Sequence, residues 1–223
     1  MAARKRFIVV GLGNFGSNVA ATLHRNGHEV IAVDVDPETI DRHAQLVTHA
    51  AVGDGRDVAI LRHLGAAEAD TGIVSTGDDI TASVLTTLTL LDIGIDRVIV
   101  KVVSDDHARV MLRIGASATI FPEKDSALNL AQMLIDDSII NYLRLGPGFG
   151  VQEMKTPPSW IDKTLRDLDL RSRYNISVVG IHHAGADNLS IPPDPTLPLL
   201  ATDTLIIAGS DQALLVANEL EGK

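Results

Sequence analysis

The chain of 223 residues contains no cysteine. That excludes disulfide staples, thiolate metal sites and thiolate nucleophiles, and it is compatible with a reducing compartment. Aromatic residues are scarce, with four Phe, two Tyr and one Trp. Stacking platforms for single-stranded nucleic acid are therefore not expected. Positive charge is also short: 19 Lys and Arg face 29 Asp and Glu, for a formal net charge of −10. This is the wrong sign for a surface that tracks phosphates, so DNA or RNA is not an expected partner. Long hydrophobic runs are missing too. The longest apolar helical stretch, residues 80–95, is interrupted by several threonines and by Asp92. No segment is long and apolar enough to span a bilayer. The start, MAARKRF, leads into an apolar stretch that Gly11, Gly13 and Asn14 break too early for a signal peptide. What remains is ample core material, 45% hydrophobic against 22% charged.

Eight histidines are present. None forms an HExxH motif and no cysteine is available as a partner, so no zinc site is expected from them. Nor does the chain show a positioned base, a nucleophile or a substrate domain rich in convergent polar groups. An enzyme is not the expected reading.

The first 121 residues alternate short apolar runs with helical patterns. Strands are predicted at 6–10, 29–34, 48–52, 72–75, 97–103 and 119–121. Helices are predicted near 14–26, 37–45, 57–64, 80–93 and 105–114. Apolar strands each separated by a helix specify a doubly wound parallel sheet, and the crossover rule favours the strand order 3-2-1-4-5-6. Residues 123–143 read as one helix with two apolar faces, a segment suited to bridging a neighbour. Gly146, Pro147, Gly148 and Gly150 then mark a flexible joint. From 151 the pattern becomes strand, turn, helix 160–170, strand 176–183, a proline-rich loop at 191–198, strand 204–209 and a last helix, 211–220. The expected fold is a Rossmann-like α/β unit, 1–122, then a crossover helix and hinge, 123–148, then a small α+β unit, 149–223. The last is small enough to need a partner.

The sequence GLGNFG, Gly11 to Gly16, follows a predicted strand and opens a helix, and Asp34 ends the next strand. In that context GxGxxG is a strong signal. Gly11 permits the tight turn, Gly13 lets backbone approach a pyrophosphate, and Gly16 allows close helix–strand packing. Asp34 is placed to accept hydrogen bonds from ribose hydroxyls, which disfavours a 2′-phosphate. GDGRD (53–57) and STGDD (75–79) also fall at strand ends where ligands of such sheets bind. Asp54 is a candidate for an adenine amino group, and Thr76 and Gly77 for the switch point. Asp78 and Asp79 read as helix caps.

The blocks GLGNFG, NGHEVIAVDVD, GDGRD, VSTGDD, VIVKV, IGA before FPEKD, and DLDLRSRYNISVVGIHHAG occur in an order and spacing that resembles the RCK (KTN) regulatory proteins of potassium uptake systems. These are the cytosolic subunits of the Ktr/Trk type, and the resemblance covers almost the whole chain. It implies an N-terminal nucleotide-binding domain and a C-terminal TrkA-C domain. It further implies homodimers that assemble into octameric rings against the cytosolic face of a membrane-embedded potassium-translocating subunit. The nucleotide, ATP or ADP, or NAD or NADH, would be a signal that changes the ring's shape. By position the resemblance assigns nucleotide contacts to Gly11, Gly13, Asn14, Phe15, Gly16, Asp34, Val35, Asp36, Gly53, Asp54, Thr76, Gly77 and Lys101. It assigns Glu123 to a Mg²⁺ or Ca²⁺ ion near the terminal phosphate. Relatives commonly carry Arg where this chain has Asn14, and Arg56 or Lys124 is a candidate substitute. Some relatives bind cyclic di-AMP between TrkA-C domains; the matching positions are Leu170, Arg171, Asn175, His182 and Pro193, with a ligand-free dimer interface as the alternative. Competing with the whole assignment are a soluble NAD-dependent oxidoreductase and a sensing module for another transporter.

Overall fold

The computed structural model describes residues 3–135, 138–146, 148–185 and 189–219. By its internal contacts the chain divides into two units, 1–123 and 124–223.

Unit 1 is built on six parallel strands: β1 (Arg6–Val10), β2 (Glu29–Asp34), β3 (His49–Val52), β4 (Thr71–Val74), β5 (Val98–Lys101) and β6 (Ala118–Ile120). Their order is β3-β2-β1-β4-β5-β6, the expected one. Between them run α1 (Asn14–Arg25), α2 (Pro37–His43), α3 (Val58–His63), α4 (Ile80–Asp92) and α5 (Asp105–Ile114). The period-2 alternation of strand side chains divides the core in two. Ile8, Val10, Ile31 and Val33 pack with Leu61, Leu90 and Met111 on one face. Val9, Val30, Ala32 and Ile73 pack with Ala20 and Ile40 on the other. Helices on both faces explain why the middles of these strands are apolar and their charged residues, Arg6, Glu29, Asp34 and Lys101, stand at strand ends.

Helix entry is fixed by side-chain caps at four of the five starts. Asp36, Asp57, Asp79 and Ser104 accept from backbone amides at the starts of α2, α3, α4 and α5. Asp79 thus performs the capping role expected of it, whereas Asp78 meets Ile80 N through its carbonyl. The first turn of α1 has no side-chain cap.

Unit 2 corrects the sequence reading. A helix, α6 (Pro122–Ile135), is present, but residues 139–146 form a strand, β7 (Ile139–Gly146), rather than a continuation of it. β7 pairs antiparallel with β8 (Phe149–Lys155), so Gly146, Gly148 and Gly150 belong to a hairpin and not to an interdomain joint; Pro147 lies outside the described residues. The local reason is composition: Ile139, Ile140 and Tyr142 favour extended backbone. From Tyr142 the side chains alternate, with Tyr142 and Arg144 both meeting Asp211 while Leu143 and Leu145 are each 60% exposed. Apolar content alone cannot separate this from a helix with two apolar faces.

The remaining elements are α7 (Leu165–Leu168), α8 (Leu170–Tyr174), β9 (Ser177–His182), β10 (Leu189–Ser190), β11 (Thr204–Ser210) and α9 (Asp211–Glu219). The predicted helix 160–170 is split into a 3-10 turn, α7 and α8, because Asp162 and Asp169 adopt positive φ. The sheet order is β10-β9-β11-β8-β7, antiparallel throughout. Its core joins Met154, Trp160, Leu168, Leu170, Leu205 and Ile207 to Leu214 of α9. β7 is an edge strand, and α6 covers part of that edge: Tyr142 N donates to Asn129 Oδ1 at 3.1 Å.

Candidate nucleotide site

The sheet order reverses between β1 and β4, so the crevice at their C-terminal ends is where a ligand of this architecture binds. Gly11 turns there with φ +92°, and a Cβ on it would collide with the carbonyl of Ser75 at the end of β4. A Cβ on Gly16 would strike the carbonyl oxygen of Gly11. Gly13 differs: it is exposed, and a Cβ there would meet nothing within 4 Å. The first and third glycines therefore satisfy the fold, while the second leaves open space in front of the uncapped α1 amides.

Asp34 closes the other side. Its Oδ2 accepts from Leu12 N at 2.6 Å and its Oδ1 from Asp36 N at 2.9 Å. A carboxylate offers about four lone-pair sites. Roughly half of that capacity is thus used to hold the glycine turn, and the rest remains for further donors. Beside Asp34 stand Val35, 67% exposed, and Val52, 53% exposed, its register partner on β3. Val52 escaped the sequence reading. The signal that could have found it is its place at the end of the neighbouring apolar strand.

The other assigned positions fall around the same crevice with differing commitments. Asn14 is exposed and opens α1, and Phe15 is half-buried behind it. Asp36 spends its carboxylate on capping α2, and the Thr39 hydroxyl, then the Glu38 and Thr39 amides, hold its pKa below the usual range. Gly53 lies against Ile60 with no room for a Cβ. Asp54 is gripped by the Arg56 guanidinium at 2.6–3.0 Å, which lowers its pKa. Arg56, considered above as a phosphate ligand, is thus already paired, and Asp54 can meet a base only if that pair opens. Gly77 has φ +66° and no neighbour to a Cβ. Thr76 Oγ1 is buried without a hydrogen-bond partner among the described residues. A buried hydroxyl is normally satisfied, so this one suits a ligand's polar group.

Lys101, at the end of β5, has a side chain only 12% exposed and meets Glu123 Oε1 at 2.6 Å. Lys101 holds the Glu123 carboxyl below its ordinary pKa. Among the described residues no group of three or more His, Asp or Glu is arranged to hold a metal ion. His107 is buried at 3% exposure, and desolvation lowers its pKa.

In unit 2 the positions matched to a cyclic di-AMP site are dispersed in character. Leu170 is 4% exposed and part of the core. Arg171 is exposed, Asn175 ends α8 with φ +61°, and His182 is exposed at the end of β9. Pro193 is half-buried in the loop after β10. A groove of about 730 Å³ lies elsewhere in this unit, lined by Leu128, Leu143, Leu145, Leu214 and Leu215 together with polar groups. Its Arg144, Asp211 and Tyr142 already satisfy one another.

A glycine turn, an uncapped helix start and a strand-end carboxylate at the switch point define a Rossmann-type unit, here followed by a small α+β unit. Residues 7–122 match the TrkA-N domain family and residues 152–221 the TrkA-C domain family. Among curated relatives, Ktr system potassium uptake protein C of Bacillus subtilis is 34% identical over 207 residues, covering 93% of each chain. Ktr system potassium uptake protein A of the same organism is 35% identical over 205 residues, covering 92% of this chain and 91% of its own. Among solved structures, the GsuK RCK domain superposes over the full chain with TM-score 0.67 at 18% identity, which shows the fold. The GsuK channel bound to NAD does so with TM-score 0.68 at 18% identity. The chain spans 48% and 40% of those two chains. The protein belongs to the TrkA-N/TrkA-C family that contains the Ktr potassium uptake proteins.

Proposed function

We propose that this protein is a nucleotide-sensing regulatory subunit of a potassium uptake system. The cradle carries the reading: Gly13 opens space before uncapped α1 amides, with Asp34 and the unpartnered Thr76 hydroxyl on either side. The Ktr relatives, matched over more than nine-tenths of their length, supply the physiological context. In this reading the α1 amides face the phosphates, Asp34 accepts from a ribose hydroxyl, and Val35 and Val52 flank the base. The titratable groups described at the crevice, Asp34, Asp54 and Lys101, are engaged in hydrogen bonds or ion pairs, which favours a sensor over an oxidoreductase. Among the described residues no helix is long and apolar enough to cross a membrane. The transport path would accordingly belong to a membrane-embedded partner, with this protein at its cytosolic face. Gating requires that the nucleotide bind two shapes of the assembly with unequal affinity, since equal affinity shifts nothing.

Self-association is part of the proposal. Leu134 and Ile135 on α6 are 74% and 75% exposed, and Leu143 and Leu145 on β7 are 60% exposed. Exposed apolar side chains of this size in a small unit point to a homodimer, from which a ring can be built. Light scattering at micromolar concentration should find a dimer or larger species, and a compact monomer with and without nucleotide would refute it.

The identity of the nucleotide turns on Asn14, which carries no charge at the α1 start. The expected result is weak discrimination of ATP from ADP in the absence of divalent cation. Asn14→Arg should raise the ATP/ADP affinity ratio about tenfold, a charge-assisted phosphate contact, and leave NAD affinity equal or lower. Calorimetry with ATP, ADP, NAD and NADH on both proteins checks this. A wild type that separates ATP from ADP a hundredfold without metal would show that another group reads the terminal phosphate. Steady NADH oxidation with candidate substrates would instead favour the oxidoreductase.

A further inference from the structure

The start of α5 is capped differently from the other helices of unit 1. Ser104 Oγ accepts from His107 N at 3.1 Å, and the His107 ring reaches back, its Nδ1 accepting from Val103 N at 3.4 Å. Such reciprocal bonding is the logic of a capping box, where Glu or Gln usually stands three residues after the Ser or Thr. At α7 a carboxylate fills that place, in the pair Thr164 and Asp167. At α5 a histidine fills it and holds the amide just before the cap. A ring nitrogen that accepts carries no proton, so Nε2 bears the hydrogen and the ring is neutral.

The surroundings offer no counter-charge to this ring. His107 is buried, and its Nε2 has no hydrogen-bond partner among the described residues. Thr87 of α4 donates to Met111 Sδ of α5 at 3.7 Å, and Ser83 and His107 each stand one turn earlier on their helices. On this seam α4 thus presents Ser83 and Thr87, both uncharged. β6, packed on α5, is Ala118, Thr119 and Ile120. Lys101, at the end of β5, is held by Glu123, and Asp79, at the start of α4, accepts from Ala82 N. Asp105, Asp106 and Arg109 of α5 itself are exposed. Among the described residues none of these charged groups is bonded to the ring. Burial holds its pKa below the ordinary histidine value. A positive charge there would also oppose the dipole of α5.

We propose that His107 is a proton-operated cap that couples acidity to the loop joining β5 to α5. The neutral ring holds Val103 N. A proton added from solvent to Nδ1 turns that acceptor into a donor, so the bond is lost and two N–H groups face each other. A charged ring is costly to keep buried without a partner. It moves out, and the first turn of α5 frays with it. The loosened loop begins at Lys101, so, resting on the cradle reading, acidification weakens nucleotide binding. The sign follows from the neutral ring being the folded form. Its stabilisation is complete above the unfolded value of about 6.5 and is lost as pH falls from there to the lower folded value.

The test is hydrogen exchange of residues 100–108 in the full chain, between about pH 7.5 and about pH 5, a range that spans histidine titration. In the wild type, protection of this segment should fall about fivefold, the effect of one lost cap. The fall should follow protonation of the His107 ring, read by NMR. His107→Gln supplies the usual capping-box acceptor without a titrating group, and its protection should change less than about twofold. NAD, whose charge is constant over this range, should bind the wild type more weakly at low pH and His107→Gln almost equally. Protection that holds while the ring is protonated would overturn the proposal even if the variant fails to fold. An equal fall in both proteins would overturn it too. NAD affinity that stays level in the wild type while protection falls would refute the coupling. A wild type that binds neither NAD nor ADP would overturn the cradle reading, and the exchange result would still decide the cap.

Discussion

Gly16→Ala is expected to destabilise unit 1 by about 3 kcal/mol, lowering its melting temperature by about 10 °C. The added methyl would meet the Gly11 carbonyl oxygen, and behind it the Ser75 side chain. A flexible side chain could yield, but a carbonyl held in a turn cannot. Gly11 itself is fixed by the bond from its amide to Val33 O, 2.8 Å, so the turn has no direction in which to retreat. α1 would have to lift from the sheet, opening the core around Leu12 and Ala20. Gly13→Ala is the matched control. Its φ of −63° suits any residue and its Cβ would touch nothing. Thermal stability should stay within about 0.5 kcal/mol of wild type, while nucleotide affinity falls because the methyl occupies the approach to the α1 amides. Scanning calorimetry of both variants, followed by nucleotide titration, separates the two roles. Equal melting of Gly16→Ala and wild type would show that the helix–strand contact is not as close as described.

Asp34→Ala is expected to weaken adenosine nucleotide binding tenfold to a hundredfold, from roughly 1.5–3 kcal/mol for a charge-assisted hydrogen bond to the ribose. A second effect adds to it. Asp34 also ties Leu12 N and Asp36 N, so the variant loosens the glycine turn from the end of β2. Leu12 is 2% exposed, and an amide left unpaired there costs about 1–3 kcal/mol of stability. Affinity measured well below the melting transition isolates the binding loss. Unchanged affinity with a lowered melting temperature would make Asp34 a purely structural residue and refute its contact with the ribose.

The relation between sequence and structure differs in the two units. In unit 1 each strand is a short apolar run bounded by a polar or glycine-containing turn, and each helix but the first starts on its own cap. Local signals of that kind are readable one segment at a time, and the handed crossover supplies the order β3-β2-β1-β4-β5-β6. The cradle was legible for the same reason: GLGNFG and Asp34 are a local pattern in a fixed strand–helix–strand context. Segment 139–146 was not legible. Its side chains suit a helix with two apolar faces or an edge strand equally well, and only pairing with β8 selects the strand.

By itself the sequence determined the parallel sheet, its order, the glycine turn and the acid that faces it, because each follows from side chains close together in the chain. Tertiary structure alone decided the commitments of the charged groups. Arg56 is spent on Asp54, Asp36 on α2, and Lys101 on Glu123, 22 residues further on. It also left the Thr76 hydroxyl without a partner among the described residues and set Val52 next to Asp34. Such pairings depend on which strand ends become neighbours. That is set by long-range packing of the sheet and is not written in the spacing of any one motif.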